Sequence, residues 1–178
     1  MVRLGPAAGA PPAAAEPAGA VDEAAARRAA LRLLAKGGRT AAEVRRALAR
    51  RFPAAAVESA LAALIRAGLL DDRRTARDWL EYRAERRPSG AVRMLADLAR
   101  RGLDPELARA CVAEHYRRRG GDERAELRRA VSQISRGADV DPAARGRLSR
   151  RLVRRGFAPE DVEAELAARL GAADEGRE

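Results

Sequence analysis

Several residue types are scarce in this chain, and each scarcity removes a class of protein. Aromatic residues make up only 3% of its 178 positions. That is too few for a β-sandwich or barrel, whose strands favour aromatic and β-branched side chains. Cys111 is the single cysteine, so no disulfide can close within the chain. His115 is the single histidine, so no imidazole pair is available to hold a metal or pass a proton. No stretch approaches the ~18 uninterrupted apolar residues of a membrane-crossing helix. The opening MVRLGPAAGAPPAAAEPAGA is interrupted by prolines and lacks the sustained apolar run of a secretory leader. A soluble, cytoplasmic protein is therefore expected. No phosphate loop of the G-x-x-x-x-G-K-[ST] kind occurs, and no nucleophile stands beside an anchored base and acid. We expect no enzyme activity, no catalytic residues, no cofactor and no metal.

What is abundant is alanine, leucine, arginine and glutamate, all strong helix formers. The formal net charge is +10. Lys36 is the only lysine, so the positive charge is almost entirely arginine, whose planar fork suits phosphate and carboxylate. A GC-rich codon pool would account for arginine over lysine, but not for the excess of one sign. A basic surplus of this size points to an anionic partner, nucleic acid or an acidic protein surface.

The chain repeats itself. LARRFPAAAVESAL (48–61), LARRGLDPELARACV (98–112) and LVRRGFAPEDVEAEL (152–166) share an apolar residue, an arginine pair, a second apolar residue, a proline and an amphipathic run. Their spacing of about 50 residues is that of a repeat protein. In each copy a helix ends at the arginine pair, where cations oppose the helix dipole. Gly102 and Gly156 follow as left-handed caps. Leu103 and Phe157 turn inward, and proline starts the next helix. In the first copy Val57, Ala60, Leu61, Leu64 and Ile65 form an apolar row, matched by Val162, Leu166 and Leu170 in the third.

A further helix precedes each pair. Over Asp22–Lys36 it points Leu31 and Leu34 inward, Gly37 and Gly38 end it, and Thr40 with Glu43 forms a capping box for the next helix. Over Arg73–Arg86 it places Ala76, Trp79 and Leu80 on one buried face, and Pro88, Ser89 and Gly90 break it. Over Asp122–Arg136 it turns Leu127, Val131 and Ile134 inward, before a break at Gly137–Pro142. The expectation is an all-α protein of three tandem three-helix repeats at 22–72, 73–119 and 122–170, forming an elongated, slightly curved array. A flexible Ala/Pro-rich tail at 1–21 and a frayed end at 171–178 flank it. The repeats carry net charges of +4, +6 and +2, so the middle one is closest to an anionic partner.

Individual residues take their readings from this frame. Cys111, among Leu107, Ala108 and Val112, is expected to pack inside. His115 is expected on the helix surface or partly packed. Asp71 and Asp72 could touch a cation but lack further ligands, so an N-cap for the Trp79 helix is the better reading. Basic three-helix units also suggest helix-turn-helix modules. Yet no single helix gathers Arg, Asn and Gln on one exposed face, so non-specific attraction to phosphate is favoured over base reading.

Gly68-Leu69-Leu70-Asp71-Asp72, then Ala76, Trp79 and Arg83, then Gly90, then Leu98-Ala99-Arg100-Arg101-Gly102-Leu103 resembles the RecX regulatory proteins. Ala30-Leu31-Arg32-Leu33-Leu34-Ala35 with Arg39-Thr40-Ala41-Ala42-Glu43-Val44 is similar to the family's first helical hairpin, and Leu152-Val153-Arg154-Arg155-Gly156-Phe157 to its C-terminal element. The resemblance covers about residues 24–168. The chain departs from the family at Lys36-Gly37-Gly38-Arg39, where an arginine-rich turn is usual. It departs again at Thr75, where an aromatic residue is common, and in using arginine for the family's lysines. The resemblance implies three tandem three-helix repeats. It also implies a monomer that binds the RecA recombinase filament, with single-stranded DNA inside that filament, and inhibits ATP hydrolysis, strand exchange and co-protease activity. Arg50, Arg51, Arg83, Arg100, Arg101, Arg154 and Arg155 are the candidate partner-binding residues. The alternative is a stand-alone, non-specific DNA-binding protein of helix-turn-helix-like repeats.

Overall fold

The computed structural model describes residues 18–135 and 144–175. Most of the expected tail, and the expected break at Gly137–Pro142, lie outside the described residues. Among those described, every regular element is a helix. The first unit holds α1 (Ala18–Leu34), α2 (Ala41–Leu48) and α3 (Ala54–Arg66). The second holds α4 (Asp72–Arg86), α5 (Ala91–Arg100) and α6 (Pro105–Arg118). The third holds α7 (Glu123–Ser135), α8 (Arg145–Val153) and α9 (Pro159–Glu175). The protein is an all-α array of tandem three-helix repeats.

The helix ends follow local chemistry. Thr40 Oγ1 accepts the Glu43 amide at 3.1 Å and Glu43 Oε2 accepts the Thr40 amide at 3.0 Å, the reciprocal bonds of a capping box. Asp71 caps α4 through the Arg74 amide, and Asp104 caps α6 through the Glu106 and Leu107 amides, all at 3.0 Å. Gly102 and Gly156 take φ of 80° and 88°, where a side chain would strain the backbone. The chain turns there, so that Leu103 and Phe157 enter the core.

Each unit has its own core. Val44, Leu48, Val57, Leu61, Leu64 and Leu70 fill the first; Leu80, Met94, Leu98, Leu103, Cys111 and Val112 the second; Leu127, Val131, Leu152, Phe157, Val162 and Leu166 the third. Burying one such leucine or valine is worth about 1.5–3 kcal/mol, so a three-helix unit has a small store of its own. Hydrogen bonds and ion pairs between units, among the described residues, join the first to the second and the second to the third.

Four expectations about burial need correction. Leu31 is exposed, because α1 buries Ala26, Ala29 and Ala30 instead; Ala56 and Ala60 of α3 lie on the same seam, and small residues let the two helices approach closely. Ile65 is 52% exposed, one position beyond the arc that Val57, Ala60, Leu61 and Leu64 already fill. Trp79 is half-buried, since Ala76, Leu80 and Ala84 occupy the inward face of α4 and leave the indole at its edge. His115 is buried, 4% exposed, because it continues the Ala108, Cys111, Val112 stripe toward the third unit. Helix limits also differ: α1 begins at Ala18, before the expected Asp22, and α9 continues to Glu175. Alanine-rich flanks propagate helix readily.

Candidate anion-binding face

The positive charge is arranged by two junctions between units. At the first, Thr40 Oγ1 donates to the Arg101 carbonyl at 2.6 Å. The Arg101 guanidinium grips Glu43 twice, at 2.9 and 3.0 Å, and donates to the Gly38 carbonyl at 2.9 Å. Asp72 accepts the Ala41 amide at 2.7 Å, and Thr75 Oγ1 donates to the Arg39 carbonyl at 3.3 Å. Burial would raise the Glu43 carboxyl, but Arg101 and the Thr40 amide outweigh it and hold the group below its usual range. At the second junction Gly90 donates its amide to the Arg155 carbonyl at 3.0 Å, and Glu123 accepts the Ala91 amide at 2.8 Å. Further along, Arg119 reaches the buried Glu126 at 3.2 Å, and Arg129 joins that carboxylate at 2.7 Å.

The seven candidate arginines are distributed over this frame rather than gathered on one patch. Arg50 and Arg51 are exposed just past α2, with Arg51 over the Phe52 ring at 5.9 Å. Arg83 on α4 and Arg100 at the end of α5 converge on Asp97: Arg83 lies 3.2 Å from its carboxylate and Arg100 contacts it directly. Arg101 and Arg155 sit in the two junctions, Arg101 mostly covered and Arg155 only 6% exposed. Arg154 is exposed at the C-cap of α8.

Three participants were missed from sequence. Asp97 is 5% exposed and carries Arg93 as well, at 3.3 Å. Its signal was available: an acid in the apolar register of Met94 and Leu98. Arg87 falls between the expected helix end at Arg86 and the break at Pro88 and received no role, yet its charge acts on both Arg83 and Arg155. Tyr82 is 56% exposed with Arg86 stacked 4.0 Å over its ring, and Arg83 lies 5.3 Å over Trp79. Burial first, then the neighbouring Arg93, Arg87 and Arg100, lowers the Arg83 guanidinium below its usual range.

Fold and charge together define a basic protein of tandem three-helix repeats. Residues 26–64 match the family model described as RecX, first three-helix domain, and residues 71–112 match RecX, second three-helix domain. A regulatory protein RecX of Mycolicibacterium vanbaalenii is 34% identical over 158 residues, covering 80% of this chain and 83% of that protein. The chain belongs to the RecX family. A regulatory protein RecX of Thermus thermophilus is 42% identical over 85 residues, 48% of this chain, and the match spans 58% of the Thermus protein's length. The crystal structure of RecX from Lactobacillus salivarius superposes with a TM-score of 0.66 at 18% identity, covering 84% of this chain and 99% of that one. A second crystal structure, of a regulatory protein RecX, gives 0.64 at 18% identity over 82% of this chain and 72% of its own. The Mycolicibacterium and Thermus relatives are named as regulatory proteins, not as enzymes. No helix among the described residues is long and apolar enough to cross a membrane.

Proposed function

We propose that this protein is a cytoplasmic, monomeric regulator that binds the RecA–single-stranded-DNA filament and inhibits its ATP hydrolysis, strand exchange and co-protease activity. Membership of the RecX family is the observation that carries this reading. The basic array supports it. A filament offers both DNA phosphates and acidic side chains, and a surplus of guanidinium is attracted to each. Arg50, Arg51, Arg100 and Arg154 are the candidates free enough to reach such a partner, with Arg83 partly so. The Arg101 guanidinium is committed to Glu43 and Gly38 and acts chiefly by fixing how the first two units meet, whereas Arg155 joins the second and third units through its carbonyl.

The test is recombinase ATPase on single-stranded DNA with increasing amounts of this protein. Inhibition is expected well before the DNA is covered, at an amount that follows the recombinase. The competing reading is a DNA-coating protein, which would be relieved in proportion to added bare DNA and form no complex with preassembled filament. That outcome would reject the proposal.

A further inference from the structure

The two junctions are built alike but charged differently. In each, the acid that opens one unit's first helix accepts the first amide of the preceding unit's second helix, Asp72 from Ala41 and Glu123 from Ala91. In each, the arginine before the turn glycine offers its carbonyl to the cap of that same helix, Arg101 to Thr40 and Arg155 to Gly90. This register makes Glu43 and Arg93 equivalent. Each stands three residues after the cap and precedes a fully buried core residue, Val44 or Met94. At the first junction Glu43 neutralises Arg101. At the second, that position carries another cation. Arg93 turns to Asp97, and Arg155 has no carboxylate partner among the described residues.

Arg155 is nonetheless nearly sealed from solvent. Its Nε has no hydrogen-bond partner, and its Nη1 makes only a 3.5 Å contact with Gln133 Oε1. The Nε of Arg83 is likewise unpartnered. Arg83, Arg93 and Arg100 share the single carboxylate of Asp97, while Arg87 and Arg155, whose charges act on each other, pair with no carboxylate among the described residues. Burial, then the charges of Arg87 and Arg151, pushes Arg155 down to about 10, as expected of a cation held without its counter-ion.

We infer that the second junction is completed by an anion from outside the chain, a backbone phosphate of single-stranded DNA, seated against Arg87, Arg93 and Arg155. Guanidinium forks match phosphate oxygens. The neighbouring rings favour a nucleic-acid strand over an acidic peptide. Trp79, Tyr82, Arg83 and Arg86 follow helical spacing along α4 toward Arg87, and each ring already has an arginine over it. Unpaired bases stack on such aromatic and guanidinium faces while the phosphates track the basic groove. A carboxylate peptide would use the charge and leave the rings idle. This inference rests on the proposed engagement of the DNA-bearing filament, for which it supplies a contact.

The full-length protein and a short labelled oligo-dT strand test it by fluorescence anisotropy. Arg93→Glu rebuilds at the second junction the pairing of the first, so the site neutralises itself. Affinity is expected to fall by about tenfold or more, and the slope of log affinity against log salt to flatten by about one. Arg87→Gln, at an exposed side chain that leaves the core untouched, is expected to weaken binding by about threefold or more and guards against a folding defect in the first variant. Arg66→Glu makes the same charge change on the exposed end of α3 and is expected to cost less than about threefold. Equal losses from Arg93→Glu and Arg66→Glu would overturn the site, leaving only a diffuse field. So would unchanged oligo-dT affinity in Arg93→Glu together with lost binding to DNA-free recombinase, which would make the occupant a protein carboxylate. If the wild type binds oligo-dT and Arg93→Glu does not, yet neither alters recombinase ATPase, the site stands and the filament reading fails.

Discussion

Thr40 and Arg101, 61 residues apart in sequence, are joined by a 2.6 Å hydrogen bond from the threonine hydroxyl to the arginine carbonyl. Thr40 Oγ1 also accepts the Glu43 amide, and Glu43 in turn holds the Arg101 guanidinium. One buried hydroxyl therefore closes the α2 cap and the junction between the first two units. Thr40→Val keeps the shape and removes the oxygen. The lost cap costs about 1 kcal/mol, and a stranded buried carbonyl about 1–3 kcal/mol more. Urea unfolding of Thr40→Val is expected to show a destabilisation of about 2–4 kcal/mol, with Thr40→Ser close to wild type. A loss under about 0.5 kcal/mol, the level of an ordinary surface change, would mean that the junction contributes nothing to stability.

Gly156 and Gly120 separate two reasons for glycine. Both have positive φ, 88° and 82°. A Cβ at Gly120 would meet nothing within 4 Å, whereas at Gly156 it would press on the Arg93 backbone nitrogen at 2.5 Å. Gly120→Ala should cost only the left-handed strain, about 1–2 kcal/mol. Gly156→Ala should cost that and an overpacked junction, about 1–3 kcal/mol more. Thermal unfolding of the pair checks this: equal shifts would show that the second junction yields freely.

The repeat was legible because its turns use residues with few alternatives. The arginine pair, glycine and proline fixed where α5 ends and α6 begins, and where α8 ends and α9 begins. Thr40, Asp71 and Asp104 announced their caps. Side-chain depth was less legible. Periodicity favours the bulkiest residue on a face, so Leu31, Ile65 and Trp79 were expected inside; α1 and α3 instead meet through alanines, and α4 through Ala76 and Ala84.

The candidate site was legible only as arginine-rich helix ends. Sequence placed Arg101 and Arg155 in the same repeat position but could not show that one meets Glu43 and the other meets further cations. Those partners come from units far apart in the chain, and no local rule links them. The buried acids Asp97 and Glu126 were more legible: each stands in an apolar register with an arginine three or four residues away, Arg93 and Arg100 about Asp97 and Arg129 beside Glu126, and such pairing is what makes a buried carboxylate tolerable.

His115 lies near the same second junction and gives the protein a buried group whose protonation is coupled to folding. Its Nε2 has no partner, its ring is tilted against Tyr116 at 5.8 Å between centroids, and Glu126, Arg119, Glu81 and Arg129 act on it electrostatically. Burial lowers its pKa below the ordinary 6.5; Glu126 opposes that shift and Arg119 reinforces it. The unfolded chain therefore takes up the proton first. The stability that His115 contributes is complete above 6.5 and is lost as pH falls from there through the depressed folded value. Glu123 acts in the opposite sense: burial raises its carboxyl, so its contribution is lost as pH rises through the folded value. The two shifts act on stability in opposite senses, so the imidazole must be isolated by substitution. His115→Leu keeps an apolar side chain in the stripe and removes the proton site. Urea unfolding across mildly acidic pH is expected to show wild-type stability declining below 6.5 and a flatter profile for His115→Leu. If the two profiles run parallel, the acid sensitivity belongs to the carboxylates and His115 is protonated equally in both states.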